Sequence, residues 1–125
     1  MQELIRANSL EDAKITAYHI GFVLGPCINA SGRLDTAARS LALLNAKTKE
    51  EAARLAGDLT ALNQSRKALT EKGKEEAIRI IEATELKNDR VLVVYLPDCH
   101  ESLAGIIAGR IREKLSQACL CIDGR

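Results

Sequence analysis

The sequence predicts a mostly α-helical chain that closes in a small α/β unit, and three observations carry this. Apolar residues recur at three-four spacing through most of residues 9–83. An unbroken β-prone run, Val91-Leu92-Val93-Val94-Tyr95, then precedes one more apolar-striped segment. Aromatic residues make up only 2% of the chain (Tyr18, Phe22 and Tyr95) while Ala, Leu and Ile dominate, which favours helix surfaces over an aromatic-paired sandwich. With 125 residues, 28% of them charged and a net charge of +1, there is room for a modest core and no overall basic excess of the kind DNA-binding domains carry. The aromatic scarcity also argues against a base-stacking platform, so a nucleic-acid role must rest on local groups. No apolar run reaches the roughly 18 to 20 residues of a membrane span, and Met1-Gln2-Glu3 does not open a signal peptide, so a cytoplasmic chain is expected.

The elements follow in order. Ser9 with Glu11 and Asp12 suits a helix start, and Ile15, Tyr18, His19, Phe22 and Val23 form a helical stripe that makes His19 a core histidine. Residues 25–34 hold two glycines, a proline and an asparagine, a composition suited to a loop of tight turns. A second helix is expected from Asp35, with Ala38, Leu41, Ala42 and Leu44 inward. Thr48 and Glu51 make a capping box for a helix over 49–83, on the order of 50 Å long at 1.5 Å per residue. Its seam of Ala52, Leu55, Leu59, Leu62, Leu69, Ala77 and Ile80 is interrupted at Arg66 and Gly73. A helix that long connects parts, or forms one arm of a bundle. Residues 91–95, apolar on both faces, read as a buried parallel strand. A turn at 97–100 leads into a helix over 101–114, with Leu103, Ile106, Ile107 and Ile111 inward and Gly105 and Gly109 leaving a smooth stripe for a strand. This opens a βαβ unit whose second strand is not evident, so residues 88–125 are expected to be loosely packed.

Two stretches go beyond generic pattern. Ile20-Gly21-Phe22-Val23-Leu24-Gly25-Pro26-Cys27-Ile28-Asn29-Ala30-Ser31-Gly32-Arg33-Leu34-Asp35 and His100-Glu101-Ser102-Leu103-Ala104-Gly105-Ile106-Ile107-Ala108-Gly109-Arg110 closely resemble two motifs of the RecJ family of single-strand-specific DNA exonucleases, in the DHH phosphoesterase superfamily. Leu62-Asn63-Gln64-Ser65-Arg66-Lys67 is similar to the signature of that family's connecting helix. The resemblance implies an internal fragment: residues 1–47 the end of the DHH catalytic domain, 48–87 the connector, and 88–125 the start of the DHH-associated domain. It also implies single-stranded DNA as partner and two manganese or magnesium ions in the parent family. This sequence has no Asp-His-His, no Asp-x-Asp and only two histidines, so neither a catalytic nor a metal-binding residue is assigned to it.

The nucleic-acid-binding candidates are Asn29, Gly32, Arg33, His100, Glu101, Ser102 and Arg110. A turn at 25–32 would aim backbone N–H groups and the Asn29 amide at a phosphate, and Arg33 would clamp it. The competing reading has Asn29 satisfying its own loop and Arg33 paired with Asp35 or Asp12. Cys27 stands where the family loop often has arginine. His100, Glu101 and Ser102 lie at a helix N-terminus beyond a strand's carboxyl end, where α/β units hold ligands, although Ser102 or Asp98 would equally serve as a cap. Arg66, Lys67, Arg110, Arg112 and Lys114 read as solvated helix faces or as a basic wall.

The four cysteines read as reduced thiols; Cys99 or His100 with Cys119 and Cys121 would make a zinc set lacking the usual Cys-x-x-Cys spacing. Residues 115–125 depart from the family's strand. One codon assignment for them, shifted by a base, reads YHRPAFVLTEG, which raises the expectation of a one-base insertion near Lys114 in the gene. Two other readings stay open on the residues alone: a helical protein-interaction module or inert remnant, and a fragment of an oligonucleotide phosphodiesterase of the same superfamily.

Overall fold

The computed structural model describes residues 1–124; Arg125, the last residue of the tail, lies outside the described residues. Among the described residues six α-helices and two strands follow in the order α1 (Gln2–Ala7), α2 (Ala17–His19), α3 (Gly25–Leu34), α4 (Ala38–Asn45), α5 (Lys49–Ala83), β1 (Val91–Leu96), α6 (Glu101–Leu115) and β2 (Ala118–Asp123). A π-helical turn, Ile20–Leu24, joins α2 to α3, and a 3₁₀ turn, Glu85–Asn88, precedes β1. The chain is thus mostly helical with a small α/β end. It divides into two compact units, Met1–Arg66 and Lys67–Arg125.

In the first unit, Leu4, Leu24, Cys27, Leu43, Leu55, Ala56 and Leu59 form the core. Four expectations are corrected here. Ser9 sits at φ 56° and ends α1 instead of starting a helix, and the next helix begins at Ala17, where His19 Nδ1 caps the Thr16 N–H at 3.2 Å. His19 is therefore a half-exposed capping residue, not a core one. Tyr18 and Phe22 are 63% and 70% exposed and stack on each other at 5.1 Å, so the stripe that suggested a buried face looks outward. On α4, Ser40 and Leu43 are the buried pair, while Leu41 and Leu44 are exposed.

Residues 25–34 are helix, not loop. The π turn is what allows it. Gly25 N–H donates to Ile20 O across five residues, which widens the helix just where Pro26 has no N–H to give and its ring would crowd a regular turn. A Cβ on Gly25 would stand 2.8 Å from that same carbonyl oxygen, so glycine is required there by close approach. Beyond it Pro26 occupies the first turn of α3, the position helices tolerate.

The 35 residues of α5 form one helix from the predicted start. Glu51 N–H donates to Thr48 Oγ1 at 3.2 Å, and the Glu51 carboxylate accepts from Lys47 N–H at 3.2 Å, a capping box displaced by one residue.

In the second unit β1 and β2 pair in parallel, Val91 opposite Ala118 through Leu96 opposite Asp123, with α6 as the crossover. This corrects the expectation of an orphan strand: residues 118–123, as they stand, supply the second strand. Gln117 Nε2 donates to Asp89 O at 2.9 Å and Lys87 O at 3.3 Å, anchoring the strand's entry. At its exit a Cβ on Gly124 would lie 2.6 Å from Pro97 O. Burial alternates along β1, with Leu92, Val94 and Leu96 inside and Val91, Val93 and Tyr95 exposed, so the strand is covered on one face only. Leu103, Ile107 and Ile111 bury the inner side of α6. A Cβ added at Gly105 or Gly109 would have no atom within 4 Å, so these glycines face open space, not a strand as expected.

Candidate nucleic-acid interface

In the first unit, α3 presents Asn29 and Arg33 one turn apart on an exposed face, with Gly32 exposed beside Arg33. The opposite face is fixed. Ser31 Oγ and Ser40 Oγ lie 2.6 Å apart, one donating to the other, and both stand within hydrogen-bond reach of Ile28 O, at 3.1 and 2.7 Å, tying α3 to α4. Helix formation commits the interior N–H groups of residues 25–34 to intrahelical bonds, so the cradle of backbone donors expected there is absent. The exposed polar side chains at this face are those of Asn29 and Arg33. Asp35, one candidate partner of Arg33, takes Arg39 at 2.5 Å. A Cβ on Gly32 would meet Ala37 Cβ at 3.8 Å, an ordinary contact, so folding does not demand glycine at this position.

Cys27 is fully buried. Its Sγ accepts from Asn63 Nδ2 at 3.4 Å and lies 3.6 Å from Asn8 Oδ1, and Asn63 Oδ1 in turn accepts from Arg66 Nε at 3.1 Å. The position is a packing site, not a place for a cationic contact to ligand. Arg66, read as a solvated side chain, is half-buried and orients Asn63.

In the second unit His100 is the N-cap of α6, in place of Ser102 or Asp98. Its Nδ1 accepts from Ser102 N–H at 3.3 Å and lies 2.8 Å from Ser102 Oγ. A ring accepting through Nδ1 keeps Nε2–H as its remaining donor. Glu101 is exposed in the first turn. Arg110 pairs with Glu113 at 3.2 Å, both 61% exposed, an ion pair of the kind worth little in water. It lies about 15 Å further along the helix than His100 by the rise per residue, so His100 and Ser102 come together and Arg110 does not join them.

A cavity of about 240 Å³ opens beside this turn, lined by Leu69, Lys72, Gly73 and Glu76 of α5 and by Leu96, Asp98, Cys99, His100 and Leu103. The contribution of α5 was not legible in the sequence, apart from the glycine that breaks its seam.

Burial pushes the Cys99 thiol up, with Asp123 adding to the shift, and burial likewise raises Cys119. Cys121 is pushed up to about 12 by burial and by the neighbouring Cys119 and Cys99. Among the described residues no three His, Cys, Asp or Glu side chains are grouped to hold a metal ion, so neither the zinc set nor a two-metal centre fits the donors present. Among the described residues no helix is long and apolar enough to cross a membrane.

No family model matches the chain. Among curated proteins it is 37% identical over 117 residues to the single-stranded-DNA-specific exonuclease RecJ of Escherichia coli (strain K12), covering 91% of this chain and 20% of that protein. It is 38% identical over 104 residues to the Haemophilus influenzae protein of the same name, covering 81% and 18%. Among solved structures it resembles exonuclease RecJ bound to manganese (TM-score 0.80, 27% identity, 97% of this chain and 30% of that one). It also resembles RecJ from Thermus thermophilus in complex with Mn2+ (TM-score 0.81, 28% identity, 97% and 18%). The chain spans about one fifth of the length of the curated relatives it matches.

Proposed function

We propose that this chain, a RecJ-related segment by sequence and by fold, is a DNA-guiding piece of a single-strand-specific 5′–3′ exonuclease that serves DNA repair and recombination in the cytoplasm. On this reading residues 1–47 close the catalytic domain, 48–87 connect, and 88–125 begin the associated domain. The observation that carries it is the joint exposure of Asn29 and Arg33 one helical turn apart on α3, where a planar cationic fork and an amide donor can share one phosphate. His100, Glu101 and Ser102 would supply a second point of contact and Arg110, further along α6, a third, and Gly32 lets a strand approach the helix backbone. The names of the relatives, exonucleases specific for single-stranded DNA, support the substrate class.

The parent chemistry uses manganese or magnesium to activate water against a phosphodiester. Among the described residues no donor set for those ions is grouped, so hydrolysis is not assigned to them. The test is binding of labelled single-stranded DNA at low and moderate salt by the chain and by Arg33→Ala. Binding that falls with salt and weakens in the variant is expected; no binding at low salt contradicts the proposal. A nuclease assay with manganese is expected to be negative, and activity lost on substitution of His100 would contradict that.

A second reading, a protein-interaction module, draws on the stacked and exposed Tyr18 and Phe22. An aromatic pair in water is an uncommon surface feature and a common interface anchor. It predicts that Phe22→Ala leaves DNA binding untouched.

A further inference from the structure

We infer that the cavity beside the α6 N-terminus receives a nucleobase carrying an exocyclic amino group, cytosine or adenine in preference to thymine. This rests on the proposed contact with single-stranded DNA and adds to it a site that reads the base and not the backbone.

The size of the cavity is the first argument. At about 240 Å³ it falls below the roughly 300–1,000 Å³ of pockets that enclose drug-sized molecules, which suits one small ring system. Its walls are the second. Leu69, Leu96 and Leu103 are aliphatic, and Gly73 contributes only backbone, because the place of a Cβ there is filled by Ile107 Cδ1 at 2.4 Å. Leu69 is 46% exposed, an apolar side chain left at the mouth where a flat ring would cover it.

The polar rim selects among ligands. Glu76 and Asp98 set two carboxylates against the single ammonium of Lys72, and exposed Glu101 adds a third negative charge on the adjoining turn. A phosphate is disfavoured by that balance, and a neutral ring with amino donors is favoured. His100 offers Nε2–H, since its Nδ1 is engaged by Ser102. Cytosine and adenine set a bare ring nitrogen, which accepts from the donor, beside an amino group whose two N–H bonds suit the carboxylates, whereas thymine brings one ring N–H flanked by two carbonyl oxygens that the carboxylates repel. Bases held outside a stack are read in this way, by apolar contact on their faces and hydrogen bonds at their edges.

The test is a methyl-resolved NMR titration of the whole chain with deoxycytidine, deoxyadenosine, thymidine and 2-deoxyribose. Saturable shifts of the Leu69 and Leu103 methyls are expected with the first two nucleosides, with at least five-fold weaker affinity for thymidine and none for the sugar. Leu69→Asp should abolish them; Leu69 is half-exposed, and unchanged shifts at Leu92 would show the fold intact. Equal responses to all three nucleosides, a response to the sugar alone, or no response to any overturns the inference. Loss of strand binding with the nucleoside response preserved would instead sink the DNA-guiding proposal, so the two failures are distinct.

Discussion

Gly73 on α5 stands directly against Ile107 on α6, so closely that a methyl group at residue 73 would lie 2.4 Å from Ile107 Cδ1. The glycine that breaks the apolar seam of α5 is thus what lets α6 pack there. Alanine at 73 would gain about 1 kcal/mol of helix propensity but meet an overpacking cost of about 1–3 kcal/mol, because Ile107 is fully buried and cannot swing into solvent. Gly73→Ala is expected to destabilise the chain in urea melts. In an Ile107→Val background, which removes Cδ1, the same substitution is expected to be neutral or stabilising. A stabilising effect in the native background would show that the contact relaxes freely.

Asn63 is expected to matter more for stability than its polar character on a long helix suggests. It is buried, donates to Cys27 Sγ and accepts from Arg66 Nε. Asn63→Ala leaves the Arg66 and Cys27 groups without this partner, at a cost of about 1–3 kcal/mol. Chemical denaturation of the variant checks this, and a change below the error of the melts would contradict it.

Alkaline pH should weaken the second unit through Cys121. Its folded value is raised to about 12 from the ordinary 9.0, so between those limits the folded chain holds a proton that the unfolded chain has lost. Stability from this group is complete below pH 9 and falls as pH rises toward 12. Lysines and tyrosines also titrate there, so the informative quantity is the difference from Cys121→Val, whose melting temperature is expected to fall less steeply over that window. Parallel slopes for the two proteins would contradict the assignment.

Strand β2 is expected to be integral to the second unit. Hydrogen exchange should show protected amides in Val91–Leu96, and truncation after Leu115 should release them, since β2 is the strand that pairs with β1. Equal protection with and without residues 116–125 would mean that the parallel ladder does not form.

Much of this architecture was legible in the residues. The capping pair Thr48 and Glu51 and the sustained apolar seam announced α5, and the run at 91–95 followed by a striped helix announced the βαβ opening. Residues 25–34 were misread because Gly25, Pro26, Asn29 and Gly32 are each helix-breaking taken singly, whereas a π turn ahead of Pro26 removes the clash that makes proline a breaker. The stripe of Tyr18 and Phe22 has helical spacing without a core to meet, which periodicity cannot reveal. β2 was missed because residues 115–125 depart from the family's strand, although the alternation of Cys119 and Cys121 with Leu120 and Ile122 is itself a strand pattern. Asn29 and Arg33 were found as side chains but with the wrong backbone beneath them. Lys72 and Glu76 reach the cavity through tertiary packing, for which a charged helix face gives no signal.

The most direct measurement of the central claim is the salt dependence of single-stranded DNA binding by the native chain and by the Arg33→Ala/Arg110→Ala double variant. Each lost phosphate contact on a single strand reduces the slope of log K against log salt by about 0.7. The account predicts measurable low-salt binding by the native chain, weakened in the double variant with a slope shallower by about 1.4. Identical affinities and slopes for the two proteins would contradict it.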